Sequence, residues 1–192
     1  TRSAGCVYSN VLSKSYSIPT CVETGDQMGE SALAKLKILD LTRFVAGPYC
    51  TRILAGFGAE VIKMERPGTG DPARSNRPFL EDKPDPERSG LFLYLNGNKK
   101  SITLDLSSES GKKLFRQLAA DADVVLEDLR PGKMDELGLG YEALHALNPS
   151  LVMTSISGFG QKGPYRDYRM NHLLAWGMSG HRYCDGARGV KP

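Results

Sequence analysis

The residues in this chain with the strongest chemical potential are charged side chains that recur at the edges of short apolar runs. Arg43 follows LKILDLT (36–42), Arg66 follows AEVIKME (59–65), Lys99 and Lys100 adjoin SITLDL (101–106), and Arg130 follows DVVLEDL (123–129). Arg and Lys gathered along one edge of a sheet hold phosphates by charge-assisted hydrogen bonds. The same spacing also suits a solvated basic rim. Carboxylates occupy the same places: Asp40, Glu65, Glu127 and Asp128. At a strand end such a group serves as an acid, a ribose ligand or a helix cap, and the sequence leaves those roles open.

Three other patterns point to chemistry less strongly. Gly158, Gly160 and Gly163 spell G-x-G-x-x-G after an apolar run. The dinucleotide fingerprint needs its third glycine inside an opening helix. Here Pro164 follows and PYRDYR continues the loop. A glycine loop walling a ligand site, or a turn needing positive φ, fits better than an NAD-dependent oxidoreductase. The first loop, TRFVAG (42–47), holds a single glycine, which also argues against an NAD site. His172, His181 and Cys184 lie close in sequence but lack paired zinc-ligand spacing and a fourth ligand, so no metal is expected. Cys50 falls in the first turn of an expected helix, where a thiolate would be stabilised. No histidine is near it in sequence, and it reads as a packed core thiol.

These side chains need elements to position them. The runs at 36–42, 59–66, 100–106, 123–129 and 151–160 read as strands. Helical patterns lie between them at 47–58, 91–98, 107–122 and 134–150, with a further helix at 171–180. In the 107–122 helix Leu114, Phe115, Leu118 and Ala119 form the expected apolar face. Residues 67–88, with five prolines, read as a long loop of the functional or mobile kind. Strands alternating with helices imply an α/β fold, a Rossmann-like parallel sheet with helices on both faces. The strands read as near-continuous apolar runs, as a doubly covered sheet requires. Ligands then bind beyond the carboxyl ends of the strands.

Composition bounds the reading. The 192 residues are 40% hydrophobic and 24% charged, an ordinary globular balance. The net charge of +3 is too small to argue for nucleic acid or a membrane surface. The longest apolar run, Leu91 to Leu95, falls far short of the ~20 residues of a spanning helix, so no membrane partner is expected. Cys6, Cys21, Cys50 and Cys184 form no C-x-x-C pair, which suggests reduced thiols and a cytoplasmic location. Residues 1–33 carry no signal-peptide pattern and read as a disordered or non-native leader, with order beginning near Leu36.

Four segments together resemble the family III CoA-transferases, a group that includes formyl-CoA transferase, carnitine CoA-transferase and alpha-methylacyl-CoA racemase. They are LDLTRFVAGPYCTRILAGFGAEVIKMERPGTGDPAR (39–74), NGNKKSITLDL (96–106), ADVVLEDLRPGKMDELGLGYEAL (122–144) and SISGFGQKGPYRD (155–167). The resemblance spans about residues 34–180 and implies a coenzyme A-binding domain within an interlocked homodimer. It places Arg43, Phe44 and Val45 along the CoA site at the end of the first strand. Arg66 would meet the nucleotide portion, and Leu104 would line the channel after Asn98, Lys99 and Lys100. Asp128, Leu129 and Pro131 would sit at the fourth strand end, with Glu136 and Leu137 nearby.

The mechanism implied by the resemblance is nucleophilic catalysis by an aspartate. Its carboxylate attacks an acyl-CoA thioester to give a mixed anhydride, then an enzyme-bound CoA thioester that passes CoA to a carboxylic acid. In the family this aspartate lies beyond the helix matching NHLLAWGMSG (171–180). Asp185 is the only carboxylate after position 171 and falls at a loop position of the family, so residues 34–192 read as the N-terminal part of the CoA-binding domain without its nucleophile. On that reading the chain does not turn over, and Asp185 and His172 are the remaining catalytic candidates. The racemase branch uses a histidine where this chain has Asn171, with His172 one step along. A non-catalytic CoA-binding or dimerisation fragment is the alternative of a different class.

Overall fold

The computed structural model describes residues 31–180. Five strands alternate with helices: β1 Lys37–Asp40, α1 Ala46–Gly56, β2 Glu60–Glu65, α2 Gly90–Asn96, β3 Lys100–Thr103, α3 Glu109–Ala120, β4 Val124–Glu127, α4 Lys133–Glu136, α5 Tyr141–His145, β5 Val152–Ser155 and α6 His172–Met178. All strand pairs are parallel, in the order β3-β2-β1-β4-β5. The winding direction reverses between β1 and β4. Parallel neighbours need crossovers, and the reversal sends α1 and α3 to opposite faces.

The helices stop where local chemistry stops them. α1 tolerates Pro48 in its first turn, where the N–H has no intrahelical partner. Its end is a Schellman turn: Gly58 adopts φ 96, its N–H donates to the Ala55 carbonyl and that of Ala59 to Leu54. The Ser108 hydroxyl caps α3 by accepting from the Gly111 N–H at 3.0 Å. Phe115 and Ala119 of α3 are buried, but Leu114 is 51% exposed. The buried stripe is therefore Gly111, Phe115 and Ala119 at i, i+4, i+8, and Leu114 lies off it, contrary to the sequence reading.

The larger core joins Leu39, Met64 and Val125 of the sheet to Phe115, Ala119 and Leu144. The opposite face packs Ile38 and Val61 against Ala55 of α1. Alternation along β1 and β2 then puts Asp40, Lys63 and Glu65 on that second face, where all three are buried. The near-continuous apolar strands expected from sequence thus carry their buried charges mostly on one face; on the other, Glu127 at the end of β4 is the buried exception. β5 ends at Ser155, earlier than expected, because the glycine-rich segment leaves the sheet there. Residues ahead of Leu36 are already tied to the fold: the Ser31 hydroxyl and the Leu33 N–H both donate to the Phe57 carbonyl. Residues 1–30, most of the stretch expected to be a leader, lie outside the described residues.

Candidate functional site

Two loops meet over the carboxyl end of β1, and buried charges join them. The Lys63 ammonium pairs with Asp71 at 2.7 Å and donates to the Thr42 carbonyl; the Lys63 and Asp71 side chains are 2% and 0% exposed. Asp71 in turn accepts from the Phe44 N–H at 3.1 Å and the Ala73 N–H at 2.8 Å. Phe44 sits at φ 67, a conformation L side chains seldom adopt, and the Asp71 bond helps hold it there. Behind this layer Asp40 accepts from the Thr42 and Thr51 hydroxyls and pairs with Lys99 at 3.1 Å. Burial alone would raise the Asp40 carboxyl, but Lys63, Lys99 and the two threonines hold it below its usual range.

The β2 end is tied equally firmly. Arg74 grips Glu65 bidentately, Nε to Oε2 at 2.7 Å and Nη2 to Oε1 at 2.8 Å. Glu65 also accepts from the Asp71 N–H at 2.9 Å and the Ser101 hydroxyl at 2.9 Å. Burial opposes its ionisation, yet Arg74 and these donors bring the carboxyl down to about 2. Arg74 stacks on the Phe92 ring at 3.7 Å, and the Ser89 hydroxyl donates to the Ala73 carbonyl at 2.7 Å. The 67–88 loop is therefore pinned at its start, through Arg74, and at its end, through Ser89.

Across the switch point the Arg43 N–H donates to Asp128 at 2.7 Å, and its Nε lies 3.4 Å from the same carboxylate. Burial pushes the Asp128 carboxyl upward against these contacts. Glu127, on the other face, is likewise raised by burial, opposed by Ser155 and the Leu129 N–H.

A cavity of about 570 Å³ opens over the ends of β1 to β4. Leu41, Met64, Leu104, Leu106, Leu129 and Leu137 give it apolar walls. Arg43, Arg66 and Lys133 bring cations to it, and Glu65, Asp71 and Asp105 bring carboxylates. This size and mixture suit a ligand with an apolar arm and an anionic end. Arg43, Arg66, Leu104 and Leu129 of the sequence-derived candidates line this one space, with Leu137 beside them.

The other candidates lie elsewhere. Asp128 stands behind Arg43. The Lys99 ammonium is buried among Asp40, the Pro48 carbonyl and Asn96, so it faces the network rather than the cavity. Phe44 and Val45 are exposed on the loop entering α1, and Asn98 holds a left-handed turn at φ 64. Pro131 and Glu136 are also outside the lining, Glu136 pairing with Arg130 and Lys133. His172 stands in the first turn of α6 against Trp176, and Asn171 caps that helix by accepting from Leu174 N–H at 2.9 Å. Asp185 lies outside the described residues. Sequence reasoning did not single out Lys63, Asp71, Arg74 or Lys133. For Lys63, Asp71 and Arg74 the signal was the dense charge of KMERPGTGDPAR, which read as a strand end running into a loop. Among the described residues no cluster of His, Cys, Asp and Glu could hold a metal ion.

The glycine segment has no dinucleotide geometry. Gly160 and Gly163 adopt φ 81 and 103, and a Cβ on Gly158 would fall 2.3 Å from the Met170 side chain. No helix opens before His172, so these glycines serve turns and close packing. No helix among the described residues is long and apolar enough to cross a membrane.

The fold is that of a doubly wound α/β protein with a cavity at the carboxyl edge of its sheet. Residues 33–192 match CoA-transferase family III, and the chain belongs to that family. It is 46% identical over 155 residues to succinyl-CoA–D-citramalate CoA-transferase of Chloroflexus aurantiacus, covering 80% of this chain and 37% of that protein. It is 42% identical over 161 residues to formyl-CoA:oxalate CoA-transferase of Afipia carboxidovorans, covering 84% and 37% respectively. A CAIB/BAIF family protein from Brucella suis superposes with a TM-score of 0.71 at 40% identity, over 79% of this chain and 40% of that one. The chain thus spans about 37% of the length of the curated relatives it matches.

Proposed function

We propose that this chain supplies the coenzyme A-binding part of an enzyme that moves CoA from an acyl-CoA to a carboxylic acid. The observation that carries the reading is the cavity over β1 to β4, where apolar walls adjoin Arg43, Arg66 and Lys133. The leucine-lined wall suits the pantetheine arm, and Arg66, exposed at the β2 end, suits the phosphorylated nucleotide. Membership of the family and the CoA-transferase activities of its relatives support the same assignment. The interlocked homodimer and the aspartyl anhydride and thioester belong to this proposal as properties of the whole enzyme.

Calorimetry with CoA tests it. The 192-residue chain should bind CoA, and Arg66→Ala should weaken binding by about tenfold, the effect of one charge-assisted phosphate contact. Absence of CoA binding, or binding indifferent to Arg66, refutes the assignment.

A further inference from the structure

In doubly wound sheets an acid at the end of the second strand commonly grips a ribose diol, whereas a nearby Arg accommodates a ribose phosphate. This chain carries both, as Glu65 and Arg66, and the two make opposite demands on a ligand. The structure shows which one is available. Glu65 lines the cavity, but its two oxygens already accept four hydrogen bonds: Oε1 from Arg74 at 2.8 Å and Ser101 at 2.9 Å, Oε2 from Arg74 at 2.7 Å and the Asp71 N–H at 2.9 Å. No lone-pair direction remains for a diol. Its charge is matched by a guanidinium that lies behind the wall and does not itself line the cavity. Arg66 is exposed at the same edge, near enough to Asp105 for its charge to be felt there.

We propose that Arg74 is a positioning residue that sets the cavity's preference for a phosphorylated ribose: by engaging Glu65 it removes a competing carboxylate, leaving Arg66 to meet the phosphate. This deepens the coenzyme A reading and rests on it. CoA carries a ribose 3′-phosphate and dephospho-CoA carries a free diol, so the pair separates the two demands. Without Arg74, Glu65 becomes an uncompensated carboxylate on the wall. A phosphate held about 7 Å from such a carboxylate, at an effective dielectric of ~20 to 40, would lose about tenfold or more in affinity.

The test compares CoA and dephospho-CoA by calorimetry on the full chain and three variants, each checked by circular dichroism. Wild type should prefer CoA. Arg74→Met should lose about tenfold in CoA affinity with little change for dephospho-CoA. Arg74→Lys, which keeps the charge, should keep the preference. Glu65→Gln/Arg74→Met, which removes both charges, should regain it. Equal weakening of both ligands in Arg74→Met, or no recovery in the double variant, would show a structural role only and overturn the proposal. Wild type binding both ligands equally overturns it too while leaving the CoA reading intact. Wild type binding neither refutes the CoA reading, and this proposal falls with it.

Discussion

Replacing Lys63 by Met tests whether the two loops over β1 are held by a buried ion pair. Met keeps the apolar stem and volume of the lysine, so little cavity is created. What is lost is the ammonium, which pairs with Asp71 at 2.7 Å and donates to the Thr42 carbonyl. Both partners are sealed from water, at 2% and 0% side-chain exposure. Removing one partner of such a pair costs about 3–5 kcal/mol, because the other charge stays buried without compensation. That is a large share of the ~5–15 kcal/mol that holds a domain folded. With an m-value near 2 kcal/mol/M, the urea midpoint should fall by about 2 M. Lys63→Met/Asp71→Asn should recover at least half of the loss.

The pH dependence gives an independent check. Lys63 and Lys99 hold Asp40 below its usual 3.8 despite burial. A depressed carboxyl contributes stability that is present above its unfolded value and lost as pH falls through the folded one. Removing Lys63 lessens the depression, so the gap between wild type and variant should narrow on acidification. A loss below about 1 kcal/mol at neutral pH, or a gap indifferent to pH, would refute the argument and show that water reaches the pair.

Two further outcomes follow from the same region. Glu65, held at about 2 against an unfolded value near 4.5, should stabilise the fold above pH 4.5 and lose that contribution progressively down to about pH 2; acid titrations followed by circular dichroism should show a flatter limb for Glu65→Gln. Gly47→Ala should destabilise by about 1–3 kcal/mol in chemical denaturation, since its Cβ would fall 2.2 Å from the buried Thr42 side chain.

The sequence was informative about the fold where periodicity was strong. Most strands and helices fell within a residue or two of their expected bounds because apolar runs and caps such as Ser108 act locally, whereas β3 and β5 stopped three and five residues early where the chain leaves the sheet. The glycine of TRFVAG was noticed for lacking partners; in the structure Gly47 makes room for Thr42. The ionic layer was not legible. EVIKME reads as apolar because Val61, Ile62 and Met64 dominate it, and only the parallel register, Asp40 opposite Lys63, shows that its charges converge on one face. Lys99 misled in a similar way. Its position before β3 suggested a basic rim, but its reach to Asp40 across 59 residues of sequence is a tertiary fact. The cavity candidates after strands were legible for the opposite reason: strand ends in a parallel sheet share an edge whatever the packing.

The strand order also governs how the chain comes into being. β1 lies at the centre, and its second neighbour, β4, arrives about 86 residues later in the sequence. At ~5–20 residues per second, a nascent chain waits on the order of ten seconds with that flank of Ile38 and Leu39 unpaired. The early βαβ unit must therefore keep an adhesive strand edge from foreign partners until β4 is made, which favours slow, chaperone-attended maturation over rapid local folding.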